Sequence, residues 1–383
     1  MSMLKGIKVK IYPNDSQTQQ IEQNIGNARF VWNQMLGMWN TRYQNNPNLP
    51  TLKKYSLNNL LPVLKMEYPF LKESESTSLQ FVCETLHGSF VEFFKKTRRH
   101  PKFKSKKTST PSFTIKNNKN IELKKNAIKL PKIGWVKARW SDNLSFEKIK
   151  RVTITRTSSG YYKASVLVEN ENQVLDKTDK QIGLDMGQID LMIGSDGSRV
   201  KTRTYQMYES KLKQWQKKMS RRQRLAKENG MPLDQARNYQ KAKQMVAKYH
   251  EKIRNCRTDY LQKETTKIIK LYDVIAVEDL KVKNMLANPS NKKRLKANHR
   301  KIANQSWHQL RTFFAYKCDW YGKNFVKVDP RYTSQDCSRC QERTGPRGDV
   351  SIRQWLCSRC GASHDRDVNA AQNILTKALK SVS

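Results

Sequence analysis

Two copies of Cys-Ser-Arg-Cys, Cys337–Cys340 and Cys357–Cys360, limit what the C-terminal part of this chain can be. Each copy sets two thiols on one tight turn, and the short interval between the pairs is that of a zinc ribbon. Four thiolates complete a tetrahedral shell, so Cys337, Cys340, Cys357 and Cys360 are expected to hold one structural Zn²⁺ in a closed site. A redox role for the two pairs is the rival, and a duplicated pair at ribbon spacing argues against it. His364 lies just beyond a shell that is already full and is expected in a surface loop. Cys83, Cys256 and Cys318 stand alone in periodic segments and read as buried thiols. Reduced cysteines, an N-terminus (MSMLKGIKVK) without a signal-peptide core and no apolar run near the ~18 residues of a membrane span point to the cytoplasm, with no membrane partner.

Lys and Arg number 74 against 33 Asp and Glu, a formal net charge of +41 on 383 residues. Repulsion on that scale calls for a polyanion, and each phosphate neutralised by Lys or Arg releases a counterion. The charge runs along the whole chain and is not gathered on one amphipathic helix, which favours nucleic acid over an anionic membrane surface. Charge alone does not separate DNA from RNA.

The length allows roughly two to four domains. LKGIKVKIYP alternates apolar and basic residues and reads as a strand closed by Pro13. Helical periodicity follows to about Tyr43, with Asn14 or Ser16 as its cap. A second helical region contains SLQFVCETLHGSFVEFFKKTRRH, whose stripe of Leu79, Val82, Leu86, Phe90, Phe93 and Phe94 is read as helix packing. After the basic connector PKFKSKKTSTPSF, residues 112–170 are all-β. The first strand has no partner nearby, so it is expected to join this sheet, with the helices as an insertion into a small β-barrel. Trp135, Trp140, Tyr161 and Tyr162 sit among lysines and arginines; base stacking and barrel core both remain open for them. From Gln181 on, strands and helices alternate: three strands, a basic helical hairpin broken at NGMPL, the strand DVIAVEDL, a basic loop, a helix and the strand NFVKVDP. This half is α/β.

Three carboxylates sit at the ends of these elements. In QIGLDMG, Ile182 and Leu184 share one face of the strand and Asp185 projects at its end. In VIAVEDL, Glu278 follows four apolar residues, where an unpaired buried carboxylate would be costly. In HDRDVNAAQNIL, the face carrying Val368, Ala371, Ile374, Leu375, Ala378 and Leu379 is expected to be buried. Asp367 lies one turn before Ala371 and points along that face, whereas Asp365 fits an N-cap. Asp185, Glu278 and Asp367 together suit two Mg²⁺ ions for phosphodiester hydrolysis. Caps are a common role for acids at element ends, so the constellation alone is a weak signal.

GLDMG, VIAVEDL, VDPRYTSQDCSRC and CSRCGASHDRDVNAAQNIL together resemble the TnpB family, transposon-encoded nucleases related to type V CRISPR effectors. The N-terminal LKGIKVKIYPNDSQTQQIEQNIGNARFVWNQML and HPKFKSKK resemble the opening of the same family. The resemblance implies a multidomain α/β plus β-barrel architecture. Residues 1–13 and 112–180 would form a split oligonucleotide-binding-like wedge barrel, and 14–111 a helical recognition insertion. Residues 181–330 and 364–383 would form a ribonuclease H-like (RuvC) nuclease domain, with a zinc ribbon at 331–363 that binds target nucleic acid. It also implies an RNA-guided, Mg²⁺-dependent DNA endonuclease with Asp185, Glu278 and Asp367 as its catalytic, metal-binding triad. The guide would be an RNA made from the transposon end, bound through shape and backbone by a monomer. Base pairing would read double-stranded target DNA while the protein reads a short target-adjacent motif, with Ser78 and Gln80 as candidate readers. The source would be prokaryotic. Gln341 departs from the glycine often found after the first knuckle, which is expected to matter little to zinc. The basic loop at 284–301 is a candidate lid over the triad. The rivals are a relative that binds guide RNA and represses without cutting, a guide-independent transposase, and a structural nucleic-acid-binding protein; retention of all three carboxylates favours the nuclease.

Overall fold

The computed structural model describes residues 2–117, 119–140, 148–187, 189–287, 305–347 and 351–382. Most of the loop proposed as a lid, from 288 on, lies outside the described residues. The chain divides into two compact units, Met1–Glu171 with Asp234–Lys248, and Asn172–Leu233 with Tyr249–Ser383.

In the first unit, strand β1 (Ser2–Tyr12) leads into helix α1 (Asp15–Asn45), then α2 (Lys54–Asn59), α3 (Leu61–Glu67) and α4 (Ser76–Phe94). The strands β2 (Ser112–Lys116), β3 (Glu122–Lys124), β4 (Ala127–Leu130), β5 (Gly134–Arg139), β6 (Lys148–Arg156) and β7 (Tyr162–Glu171) follow. They form a seven-stranded sheet in the order β2-β6-β7-β1-β5-β4-β3, with β1 near the centre, paired antiparallel to β7 and β5. The strand at the start of the chain therefore does find its partners beyond the helical insertion. Its alternation fixes the facing: Val9 and Ile11 are buried, while Lys8 and Tyr12 are exposed. Asn14 caps α1 in a reciprocal capping box with Gln17, satisfying two backbone donors at once. In α4 the buried face carries Leu79, Val82, Leu86 and Phe90, but Phe94, expected in that stripe, is 54% exposed at the helix end.

The second unit is built on strands β8 (Gln181–Asp185), β9 (Asp190–Gly194), β10 (Arg199–Lys201), β11 (Val274–Glu278) and β12 (Asn324–Val328), in the order β10-β9-β8-β11-β12. Helices α5 (Gln206–Glu228) and α6 (Arg237–Leu271), the latter belonging to this unit from Tyr249 on, form the basic helical segments, followed by α7 (Val282–Ala287) and α8 (Trp307–Tyr321). The ribbon hairpin β13 (Gln354–Leu356) and β14 (Ser363–Asp365) runs directly into α9 (Arg366–Val382). β8, β11 and β12 are parallel and β9 and β10 antiparallel, so the mixed α/β reading of this half holds. β11 is buried from Ile275 to Glu278, as a central parallel strand covered on both faces must be. Within the helical layer Lys317 of α8 is 4% exposed. Its ammonium donates to the carbonyl of Gln262 (2.7 Å) and to the Thr265 and Thr266 hydroxyls (2.8 Å each) on α6. Burial pushes that amine down to about 8. Of the three lone cysteines, Cys83 and Cys318 are buried, whereas Cys256 is half-buried. No helix among the described residues is long and apolar enough to cross a membrane.

Candidate active site and metal centre

β8 and β11 run parallel in register from Val274↔Gln181 to Val277↔Leu184, so the next step of the ladder sets Glu278 beside Asp185. Both stand at the carboxyl ends of their strands, where open α/β sheets place ligands. The third acid arrives on α9, which packs on β8 with no side chain between them at Gly183. A Cβ there would collide with the Ala371 carbonyl oxygen and lie 2.7 Å from the Leu375 nitrogen. A glycine inside a strand commonly marks such a close backbone approach.

Burial, then the charges of Glu278 and Asp367, push the Asp185 carboxyl up to about 8. Glu278, 7% exposed, is also raised, by burial first; the Thr333 hydroxyl donating to its Oε1 (2.6 Å) and the charge of Lys377 work the other way. Asp367 lies in the first turn of α9, where both its oxygens accept from one nitrogen of Arg353 (3.0 and 2.9 Å). Asp365 accepts from the backbone N–H groups of Asp367 and Val368 (3.1 Å each), so it caps α9, and it pairs with Arg199 (2.8 Å). Of the two aspartates on either side of Arg366, Asp365 is thus the cap and Asp367 pairs with Arg353.

The four cysteines form the second centre. Their sulfurs all lie within 4.8 Å of one another, with Cys337–Cys360 at 3.7 Å and Cys340–Cys357 at 3.6 Å. Tetrahedral Zn²⁺ with bonds of ~2.3 Å requires sulfurs ~3.8 Å apart, so the donor set fits zinc. Among the described residues this is the only group of three or more metal-binding side chains gathered so closely. Both knuckles close by a backbone bond to the residue after the second cysteine, Gln341 to Cys337 (2.8 Å) and Gly361 to Cys357 (2.9 Å). That residue is left-handed in each, with φ of 65° at Gln341 and 68° at Gly361. Where a glycine adopts this freely, Gln341 is held by its side-chain amide donating to the Ser338 carbonyl (3.1 Å). His364 corrects the surface-loop expectation: it is buried on β14, with Nε2 3.0 Å from Cys337 Sγ and its ring 4.6 Å from that of Trp355. The β13–β14 pairing sets Trp355 opposite His364, and that pairing turns the ring inward.

Comparison with known proteins decides the family. The chain is 30% identical over 390 residues, 98% of its length and 92% of the relative's, to InsQ of Escherichia coli (strain K12), whose name provisionally makes it an RNA-guided DNA endonuclease. The chain belongs to the TnpB family. A relative from Streptomyces pristinaespiralis with the same provisional name is also 30% identical, over 98% of this chain and 89% of that one. The family model described as "Probable transposase" (OrfB_IS605) matches residues 165–289, and a "Helix-turn-helix domain" model of the same group matches 1–47, which here is β1 and the single long helix α1. The "Cas12f1-like, TNB domain" model matches 307–374, from α8 through the ribbon into α9. In fold the chain resembles a Cas12f1 protein solved with guide RNA and target DNA, at a TM-score of 0.55 and 13% identity, covering 97% of this chain and 98% of that one.

Within this TnpB-family chain, several residues that the sequence reading passed over tie α9 to the cysteine knuckle. Asn369 and Asn373, 1% and 2% exposed on α9, donate to the Asp336 carbonyl (2.9 and 2.6 Å), and Asn373 also to that of Thr333 (2.8 Å). Asn369 accepts from the Ser338 N–H (2.8 Å), and the Ser338 hydroxyl donates to Gln372 (2.7 Å). The expected apolar face of α9 is corrected accordingly: Ala371, Ile374 and Ala378 are buried together with these asparagines, whereas Leu379 is 37% exposed. Amides at i and i+4 on the buried side of a helix were the available signal. In α4, Ser78 is 1% exposed, so it presents no surface to DNA, while Gln80 is exposed.

Proposed function

We propose that the chain is an RNA-guided DNA endonuclease with one RuvC-type active site formed by Asp185, Glu278 and Asp367. The observation that carries the reading is the convergence of these acids, two on neighbouring parallel strands and one on a helix packed against them. Three hard oxygen donors, one held near 8 by burial and its neighbours, are a donor set that fits divalent cations such as Mg²⁺. When bound, two such ions supply Lewis acidity and charge neutralisation at a phosphodiester. The chain's own residues bind and orient. Thr333 fixes Glu278, Arg353 fixes Asp367, and the Asn369–Asn373 ridge ties α9 to the loop that enters the ribbon. Zn²⁺ on the cysteine quartet is structural and sets where β14 ends and α9 begins.

A guide RNA from the transposon end occupies the basic surfaces of a monomer, base pairing reads the target, and the exposed side of α4 around Gln80 reads the target-adjacent motif. The wedge, recognition, nuclease and ribbon segments follow the family's plan. The pairing of β13 with β14 continues the ribbon's hairpin up to the start of α9.

The test is to incubate the protein and its copurifying RNA with Mg²⁺ and matched DNA. Cleavage is expected, and Asp185→Ala is expected to lower it by ~10³-fold or more with RNA retention unchanged. Tight, guided binding without cleavage would establish the repressor instead, and strand transfer that survives ribonuclease would establish the transposase.

A further inference from the structure

The outer face of β1 and β5 in the first unit carries three aromatic rings that the core does not use. Inward positions are filled by Val9, Ile11, Val136, Ala138 and Tyr162, all buried. On the other face Tyr12 is 43% and Trp135 37% exposed. Tyr12 pairs with Lys137, and Trp135 lies two residues along β5 on the same face. Ile11 pairs with Tyr162, so Tyr161 continues the register opposite Tyr12. The rings therefore sit side by side at one end of the strands.

Cations interleave them. Lys10 Nζ lies 3.7 Å from the Tyr161 ring and 5.0 Å from that of Tyr12. Lys124 and Lys129 stand 4.3 and 6.0 Å from the Trp135 ring. Lys137 and Arg139 are exposed on the same face of β5. Glu122 pairs with Lys129 here (2.6 Å). Keeping a tryptophan and a tyrosine in water forfeits the burial their rings would otherwise give. The sequence left Trp135, Trp140, Tyr161 and Tyr162 open between stacking and core; the structure buries Tyr162, packs half-buried Trp140 against the core, and leaves Tyr161 half-buried and Trp135 exposed.

We infer that Tyr12, Trp135 and Tyr161 form a stacking platform for unpaired bases of the guide RNA, with Lys10, Lys137 and Arg139 taking the adjoining phosphates. The spacing selects single-stranded nucleic acid. Diagonal neighbours on a sheet are ~7–8 Å apart. Bases stacked in a helix are only ~3.4 Å apart, and a duplex presents its backbone rather than its base faces. Two rings at this separation receive bases splayed from one another, which is how unpaired RNA is held. The assignment to guide RNA rests on the RNA-guided reading above.

Full-length chain stripped of RNA is titrated with the copurifying RNA at several salt concentrations, as wild type, Tyr12→Ala, Trp135→Ala and Trp135→Phe. Each alanine is expected to weaken binding about tenfold with an unchanged salt slope, and phenylalanine to restore most of the loss. Lys137→Gln is expected to reduce the slope by about 1. Both rings point away from the core, so the thermal midpoint is expected to hold. In parallel, wild-type protein cross-linked to 4-thiouridine RNA is expected to give adducts at Tyr12, Trp135 or Tyr161. Alanine variants that bind like wild type, or adducts confined to other residues, overturn the inference while guided cleavage stands. Tighter binding of single-stranded DNA of the same sequence overturns the assignment to guide RNA. A wild-type chain that binds no defined RNA overturns both readings.

Discussion

Asp185 ends β8 as a carboxyl that burial and two neighbouring acids raise to about 8, against ~3.9 for a free aspartate. A raised acid favours its protonated form in the fold. Its contribution to stability is therefore complete below pH ~4 and is lost as pH rises through about 8. Divalent cations need the ionised form, so binding them near neutrality expels a proton. Calorimetric titration of Mg²⁺ into RNA-free protein is expected to show affinity rising about tenfold per pH unit from 6 to 8 and levelling off above, with proton release that Asp185→Asn abolishes. Affinity independent of pH would remove Asp185 from the ligand set. At this scale the sequence was informative wherever the determinant is local. Asp365 as the cap of α9 followed from its two-residue offset to Asp367. His364 did not, because its burial depends on the β13–β14 pairing, a tertiary fact that no local spacing encodes. Gln341 illustrates the same limit: its left-handed backbone shows only in the closed knuckle.

Among the elements, α9 has the most consequences, since one side of it packs on β8 at Ala371 and Leu375 while another, with Asn369 and Asn373, binds the loop that enters the ribbon. Its packing on β8 depends on Gly183, where an added methyl meets the backbone of Ala371 and Leu375 and neither can yield by a rotamer change. Gly183→Ala is therefore expected to push α9 off the strand and move Asp367 away from Asp185. Displacements of this order cost about 100-fold in catalysis. Guided cleavage is expected to fall by about that factor, with zinc content and RNA affinity within twofold of wild type. Cleavage at the wild-type rate would show that the triad does not need this close approach. The strands and helices of this unit were legible from periodicity because buried parallel strands and amphipathic helices write their facing into the sequence. The polar ridge of Asn369, Gln372 and Asn373 was not, because an amide in a helix is read as exposed unless its partners are known, and these partners are the Thr333 and Asp336 carbonyls and the N–H and hydroxyl of Ser338, on either side of Cys337.

For the whole molecule the governing quantity is a net charge of +41, spread over both units and largely unpaired by its 33 acids. Without a polyanion these charges repel within the ~8–10 Å over which physiological salt leaves them unscreened, and the folded state, being the compact one, bears more of that cost. Added salt screens the repulsion, so the RNA-free chain is expected to gain several degrees in its first thermal transition between about 50 and 300 mM NaCl. Bound RNA reverses the sign. The complex is stabilised by association, and competition from counterions for the phosphates weakens that stabilisation as salt is added. The same change in salt is therefore expected to lower the transition of the ribonucleoprotein, bringing the two midpoints together as salt rises. Differential scanning calorimetry of both forms over that range checks this. A chain destabilised by salt in the absence of RNA would mean that its cations are already compensated internally, and the case for an RNA-filled surface would fall with it.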